Sequence, residues 1–153
     1  LWANLKISKL IEGLSKDEVH QSLGGSFDSV RLCVEHILKA ENIWWQRLQM
    51  QEHVTPLDLS DVDEWKDVLP YWEQSSSHLI AFTEKIMDDR GCLHQFHYTN
   101  LAGEAFKSTV WECIHHVCNH STFHRGQLVN YCRSLGLTKI PSTDFITFSR
   151  ERK

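Results

Sequence analysis

Histidines on one predicted helix are the residues of this sequence best suited to chemistry. The segment Trp111–Leu128 reads WECIHHVCNHSTFHRGQL and contains four histidines, of which His116, His120 and His124 are spaced by four residues. Residues i and i+4 of an α-helix lie on the same face, one turn apart. Two imidazoles at this spacing can reach one metal ion, as the two histidines of the HExxH zinc helix do. The spacing therefore predicts a metal-binding pair.

A third candidate ligand is His36, which lies among apolar residues on a second predicted helix. An imidazole that points at a core needs a polar partner, because burying it unsatisfied costs on the order of 1–3 kcal/mol. Three neutral imidazoles with water or substrate in the remaining position are typical of a catalytic zinc site, whereas a structural site normally has four protein ligands.

The other two histidines of this helix, His115 and His116, are not expected to bind the metal. His115 should point away from the histidine face. His116 lies one turn before His120, but the face of a helix drifts by about 40° over four residues, so we expect His116 to neighbour the ligands or to form a pocket wall.

Gly126 costs a helix about 1 kcal/mol relative to alanine, which suggests that a backbone or a ligand approaches closely there. Each ligand also needs a hydrogen bond at its second ring nitrogen. The available partners are Glu35, Glu41, Glu112, Asn119 and Gln127.

Four main helices are predicted to carry these residues. Apolar spacing and capping residues place them over residues 2–13, from the cap Ser26 to about Met50, from Asp61 to about Asp89, and from a cap at Ser108 or Thr109 to Leu135. Pro70 should kink the third helix or delay its start. Thr109 and Glu112 have capping-box spacing, and Gly136 should end the last helix.

Shorter features are predicted around these helices. Phe27 is assigned to the apolar stripe of the second helix, and Trp44 to the core rather than to a pocket wall. Residues 14–25 and 88–91 should form a connector and a turn, and the tail from Pro141 should pack on the bundle through Asp144, Phe145 and Phe148. Segments 93–99 and 104–107 predict a small β-hairpin. This order is typical of an all-α four-helix bundle with a hairpin before the last long helix, and metal sites in such bundles form from inward side chains on facing helices.

The composition excludes several classes of protein. The 153 residues suit a single domain, 1–153, and the formal net charge of −4 argues against a nucleic-acid partner. No apolar run approaches the roughly 18–20 residues that span a bilayer, so no membrane partner is expected. The sequence has no glycine-rich phosphate loop and no Ser-His-Asp signature. Its five cysteines form no CxxC pair, which favours reduced thiols in a cytoplasmic protein.

Four segments together resemble the DinB family, also called the DinB/YfiT-like metalloenzymes. They are GGSFDSVRLCVEHILKAENIWWQRL, YTNLAGEAF, HHVCNHSTFHRGQL and the tail PSTDFITF, so the resemblance extends nearly end to end. The family fold is a four-helix bundle, usually a homodimer. Its metal is held by one histidine of the second helix and two histidines, spaced by four, of the late helix. By motif position, the resemblance implies that His36, His120 and His124 are the metal ligands and leaves His116 outside the set.

The resemblance implies a reaction less sharply than a fold. Related members include thiol-dependent S-transferases that use bacillithiol or mycothiol, and a mycothiol-dependent isomerase. We therefore expect a cytoplasmic, metal-dependent enzyme that holds zinc or nickel and activates a small-molecule thiol for S-transfer. His116 and Gln127 are the candidates for supporting catalytic roles. The alternatives are a hydrolase that uses a metal-activated water, a non-catalytic metal-stabilised binding protein, and a bundle whose histidines pack in the core without metal. The family is named for induction by DNA damage, and the acidic charge of this chain gives DNA binding no support.

Overall fold

The fold is a helical bundle with one small hairpin. The computed structural model describes residues 1–86 and 89–152. Its elements in chain order are α1 (Trp2–Ile11), α2 (Lys16–His20), α3 (Val30–Leu48), a 3₁₀ turn (Trp65–Asp67), α4 (Val68–Ile86), α5 (Asp89–Leu93), β1 (Gln95–Thr99), β2 (Ala105–Thr109), α6 (Val110–Ser134) and α7 (Phe145–Glu151). Helix α3 packs against both α4 and α6, and α1 also contacts α4 and α6. The predicted fold class is therefore confirmed.

Apolar residues form two buried clusters inside this arrangement. The larger cluster includes Ile7, Ile11, Val34, Ile37, Leu38, Trp65, Trp72 and Leu128. The smaller cluster lies beneath the hairpin and contains Leu48, Phe96, Val110 and Cys113. Helix α3 contributes residues to both clusters because it lies between the other helices of the bundle. None of the helices within residues 1–86 and 89–152 has the length and apolar character needed to cross a membrane.

The start and the end of α6 follow the sequence prediction. The hydroxyl of Thr109 accepts a hydrogen bond from the backbone N–H of Glu112 at 3.2 Å, and the Glu112 carboxylate accepts one from the N–H of Thr109 at 2.7 Å. This is the predicted capping box, which satisfies two otherwise unpaired donors. Gly136 follows the helix with φ +86°, a left-handed conformation that glycine adopts without steric cost.

The predicted start of α3 was wrong. The helix is capped by Ser29 and begins at Val30, so Ser26 lies in the preceding turn. Asp28 has φ +45°, outside the helical region, and its carboxylate accepts a hydrogen bond from the backbone N–H of Gly24 at 3.1 Å. That contact closes the turn and delays the helix, which composition alone did not reveal.

Two short helices occupy segments for which the sequence predicted loops or turns. In the predicted connector 14–25, α2 is capped by a second capping box, formed by Ser15 and Glu18. Helix α5 covers most of a predicted turn at 88–91, of which Asp88 lies outside the described residues. The third main helix starts later than predicted, at Val68, which places Pro70 in its first turn, where a missing N–H is tolerated. Its predicted end near residue 89 falls in part on residues 87–88, outside the described ranges.

The tail returns to the bundle through one of its two phenylalanines. The ring of Phe148 lies 5.4 Å from the ring of Trp2, and the Glu151 carboxylate accepts hydrogen bonds from the Trp2 indole at 2.8 Å and from Lys6 at 2.9 Å. Phe145 is 78% exposed, so its predicted packing against the bundle was wrong.

A buried carboxylate joins the four main helices at the level of the core. Glu41 of α3 is 4% exposed and accepts hydrogen bonds from Asn4 of α1 at 2.8 Å, Ser76 of α4 at 2.7 Å and Ser121 of α6 at 2.8 Å. Arg125, also on α6, donates to the side-chain oxygen of Asn4 at 2.8 Å. Because every partner of the carboxylate is a donor, the buried acceptors are satisfied and the helices are held in one register.

Removal of one donor to this carboxylate should destabilise the whole bundle. We expect Ser121→Ala to lower the free energy of unfolding by about 1–3 kcal/mol, because it leaves part of a buried carboxylate without a hydrogen bond. Urea denaturation would measure the change. Ser134→Ala, an exposed position on the same helix, is the matched control and should have little effect. Equal changes in the two variants would contradict a structural role for the network.

Candidate metal centre

The three histidines of the predicted site meet between α3 and α6. The Nε2 atom of His36 lies 2.9 Å from Nε2 of His120 and 3.2 Å from Nε2 of His124. The possible ligand atoms of all three residues lie within 4.8 Å of one another. His124 is buried, while His36 and His120 are partly exposed. One side of the cluster is thus covered by the bundle and another is accessible.

These distances fit a shared first-row metal. Zinc binds imidazole nitrogens at about 2.0–2.1 Å, so two ligand nitrogens that subtend about 90–110° at the metal are about 2.8–3.4 Å apart. Hydrogen bonds between the rings are a poorer solution. A neutral imidazole carries one N–H, so Nε2 of His36 can donate to only one of the two nitrogens that face it. The donor set can therefore hold a metal ion, and three neutral nitrogen ligands suit zinc, copper, iron or nickel.

Burial keeps these rings in the form that binds metal. It lowers the pKa of His36, with a further contribution from the neighbouring His124. It also lowers the pKa of His120 to about 4, with smaller contributions from His124, His36 and His116. Both rings are consequently neutral at pH 7, and each has a nitrogen lone pair available for coordination.

The tautomer of His124 is set by a neighbour one turn along α6. Nδ1 of His124 lies 2.8 Å from Oε1 of Gln127. An amide oxygen only accepts, so Nδ1 carries the proton and Nε2 is left with its lone pair toward His36. A hydrogen bond of this kind orients a metal-ligating histidine. Of the five partners that the sequence offered, Gln127 is the one that the structure places against a ligand.

Aromatic rings cover part of the cluster. Phe27 stacks on His36 with 4.1 Å between ring centroids and meets His124 edge-on at 5.2 Å. Phe123 lies against the other side of His124 at 5.0 Å and is itself 65% exposed. The sequence assigned Phe27 to a core stripe and did not anticipate its contact with the ligands, since Phe27 precedes α3 and no helical spacing relates it to His36.

His116 of α6 and Trp44 of α3 form an aromatic wall beside His120. The His116 ring lies 5.7 Å from His120 and 5.0 Å from Trp44. His116 is exposed and neighbours His120 outside the set of three. Trp44 is half-buried: it packs against the smaller apolar cluster, as expected of a core residue, and it also contacts His116. His115 is exposed and lies 3.2 Å from the Asn119 amide, pointing away from the cluster as predicted.

Two further residues near the ligands clarify what the site contains. The thiol of Cys33 donates to the backbone carbonyl of His124 at 3.6 Å, and burial raises the pKa of that thiol to about 12. Cys33 is therefore a protonated contact between α3 and α6. The expected close approach of another backbone at Gly126 was wrong, because a Cβ built there meets nothing within 4 Å.

Comparisons with known proteins identify the family and the fold of this chain. A model of the DinB family matches residues 1–152. The chain is 24% identical over 155 residues to Protein DinB of Bacillus subtilis (strain 168), across 95% of this chain and 86% of that protein. The crystal structure of a DinB-like protein from Bacillus cereus ATCC 10987 superposes with a TM-score of 0.69 at 15% identity, covering 94% of this chain and 91% of that one. At that identity the structural likeness concerns the fold, whereas the family match spans nearly the whole sequence, and the chain therefore belongs to the DinB family.

Proposed function

We propose that this protein is a metal-dependent enzyme in which His36, His120 and His124 hold one divalent transition metal, zinc or nickel, and in which a small-molecule thiol is activated for S-transfer. The observation that carries the proposal is the convergence of three imidazole nitrogens at a partly exposed position. When bound, such a metal supplies a Lewis acid that lowers the pKa of a coordinated thiol or water.

The residues around the cluster favour a thiol over a water as the activated group. The metal-ligand cluster found among the described residues contains three histidines and no carboxylate. Glu35, one helical turn from Arg31 and Lys39, is paired with both of them and so is occupied elsewhere. Metalloproteases of the HExxH type use a glutamate as general base for water, and no carboxylate of residues 1–86 and 89–152 joins this cluster. The flanking rings of Phe27 and Phe123 suit an apolar or polarizable substrate.

The chain's own groups have separate tasks in this proposal. Gln127 holds His124 in the tautomer that presents Nε2. Phe27 stacks on His36 and keeps water from one side of the ring. His116 and Trp44 form the wall along which a substrate can lie. In the transfer itself, a new bond forms between sulfur and an electrophilic carbon of the acceptor, the bond from that carbon to its leaving group breaks, and the thiol proton passes to solvent.

Metal binding is the first prediction of the proposal. Purified protein reconstituted with Zn²⁺ or Ni²⁺ should contain about one metal per chain, and His36→Ala or His120→Ala should weaken binding at least 100-fold, because each removes one of three ligands. Isothermal titration calorimetry and elemental analysis would measure this. His115→Ala removes an exposed histidine of the same helix and is the matched control. Unchanged metal content in His120→Ala with a folded protein would refute the site.

The role of Gln127 gives a second prediction. Gln127→Ala should weaken zinc binding by about 10–100-fold, the range typical for loss of a partner that orients a ligand. Gln127→Glu keeps an acceptor for Nδ1–H and should bind zinc more tightly than Gln127→Ala. Competition against a chromophoric zinc chelator measures both affinities. Equal affinities for the wild type and Gln127→Ala would show that the contact does not orient His124.

The reaction class can be tested with two model reactions. Metal-loaded protein should accelerate the attack of bacillithiol, mycothiol or cysteine on 1-chloro-2,4-dinitrobenzene, which releases chloride, and His120→Ala should not. Hydrolysis of 4-nitrophenyl acetate without thiol should stay at the background rate. Ester turnover that depends on metal and needs no thiol would instead indicate the hydrolase. Metal binding with neither activity, together with a large fall in melting temperature on metal removal, would indicate a metal-stabilised binding protein.

A further inference from the structure

A buried arginine lies beside the predicted substrate wall and has no acidic partner. Arg47, in the last turn of α3, is 8% exposed, and its Nε is buried without a hydrogen-bond partner. Throughout the described part of the chain, no carboxylate forms an ion pair with it. A guanidinium stays protonated at neutral pH and carries five donors. Burying an unpaired charge is costly, so this position calls for an anion.

The groups that surround Arg47 hold it in place without neutralising it. Its guanidinium carbon lies 4.7 Å from the centre of the Trp44 ring and 5.2 Å from that of Tyr98. Cys113 is also near, but burial raises the pKa of its thiol to about 11, so it supplies no negative charge at pH 7. The two rings fix the plane of the guanidinium through cation–π contacts. The side chain is consequently preorganised, while its donors remain unused.

Arg47 also lines a cavity of about 250 Å³ between the end of α3 and the hairpin. The loop that forms one side is fastened by Gln46, whose amide donates to the carbonyl of Thr55 and accepts from its N–H, both at 2.8 Å. The other lining residues are Met50, Gln51, Glu52, Val54, His97, Tyr98, Thr99 and Ala105. The cavity is thus small, partly apolar and formed by a fastened loop, with one buried cation in its wall. Glu52 is exposed and makes no ion pair with Arg47.

We propose that this cavity binds a small organic oxyanion, a carboxylate or a phosphate ester, whose charged end pairs with Arg47. The planar guanidinium matches both anions through paired N–H···O bonds. Tyr98, Trp44 and His116, here called the aromatic strip, connect Arg47 to His120. Of this strip, Tyr98 lines the cavity, whereas Trp44 and His116 do not. The anion site therefore stands apart from the histidine cluster and does not require a metal.

The anion site is tested on metal-free full-length protein. Phenylacetate, phenyl phosphate and neutral phenylacetamide would be titrated by calorimetry and ligand-observed NMR. We expect saturable binding of at least one anion, at least tenfold weaker binding of the amide, and at least tenfold loss of anion affinity in Arg47→Met. Preference between the two anions distinguishes a carboxylate site from a phosphate site. Arg133→Met removes an exposed arginine of α6 and should leave the affinity unchanged.

Further measurements keep the result decisive if Arg47→Met is unstable. Arg47→Lys retains the charge but not the planar fork, so it should fold and bind the anion more weakly than the wild type. In the wild type, the Nε–H resonance of Arg47 should shift with the anion and not with the amide. Equal binding of the amide, or no saturable anion binding, would overturn the proposal. Anion binding seen only in Glu52→Gln would also overturn it, since Glu52 would then be the partner of Arg47.

Discussion

The packing of α3 against α6 is the constraint on which the rest of the structure depends, and Glu41 shows how tightly it is set. A carboxylate that is 4% exposed must receive donors from its surroundings. Asn4, Ser76 and Ser121 supply them from the three other main helices. A rotation of α6 by one residue would remove Ser121 from the carboxylate. The same rotation would displace His120, its neighbour in sequence, from His36.

The geometry of the histidine cluster also depends on the packing of α3 against α6. Nε2 of His36 faces two other ring nitrogens, a geometry that neutral imidazoles cannot satisfy among themselves but that a cation satisfies at once. Burial depresses the pKa values of His36 and His120, so the rings stay neutral and do not repel a cation. The fold thus provides a donor set for metal, and the Gln127 contact adds the orientation of one ligand.

Arg47 differs from Glu41 because its buried Nε has no hydrogen-bond partner. Arg125, a partly buried arginine of α6, has an unpaired Nε like Arg47, but its two Nη atoms donate to Asn4 and Thr122. It also lies near enough to Glu41 for that carboxylate to oppose the lowering of its pKa by burial. Arg47 packs against the ring faces of Trp44 and Tyr98 near a protonated thiol, and no hydrogen bond to its side chain is present among the described residues. Arg125 thus belongs to a polar network, whereas Arg47 lies unpaired at a cavity, and this contrast supports a binding role for Arg47.

The sequence by itself determined the features that depend on local periodicity. Four-residue spacing was enough to place His120 and His124 on one face, and the capping box of Thr109 and the glycine stop at Gly136 followed from residue type. Its apolar surroundings made His36 the third candidate, and the motif resemblance selected the same three residues. Tertiary structure decided the rest: which of five candidates contacts a ligand, that Phe27 covers His36, that Asp28 delays α3, and that Arg47 has no partner. These features depend on contacts between residues on different elements, where distance and burial are set by packing rather than by helical spacing.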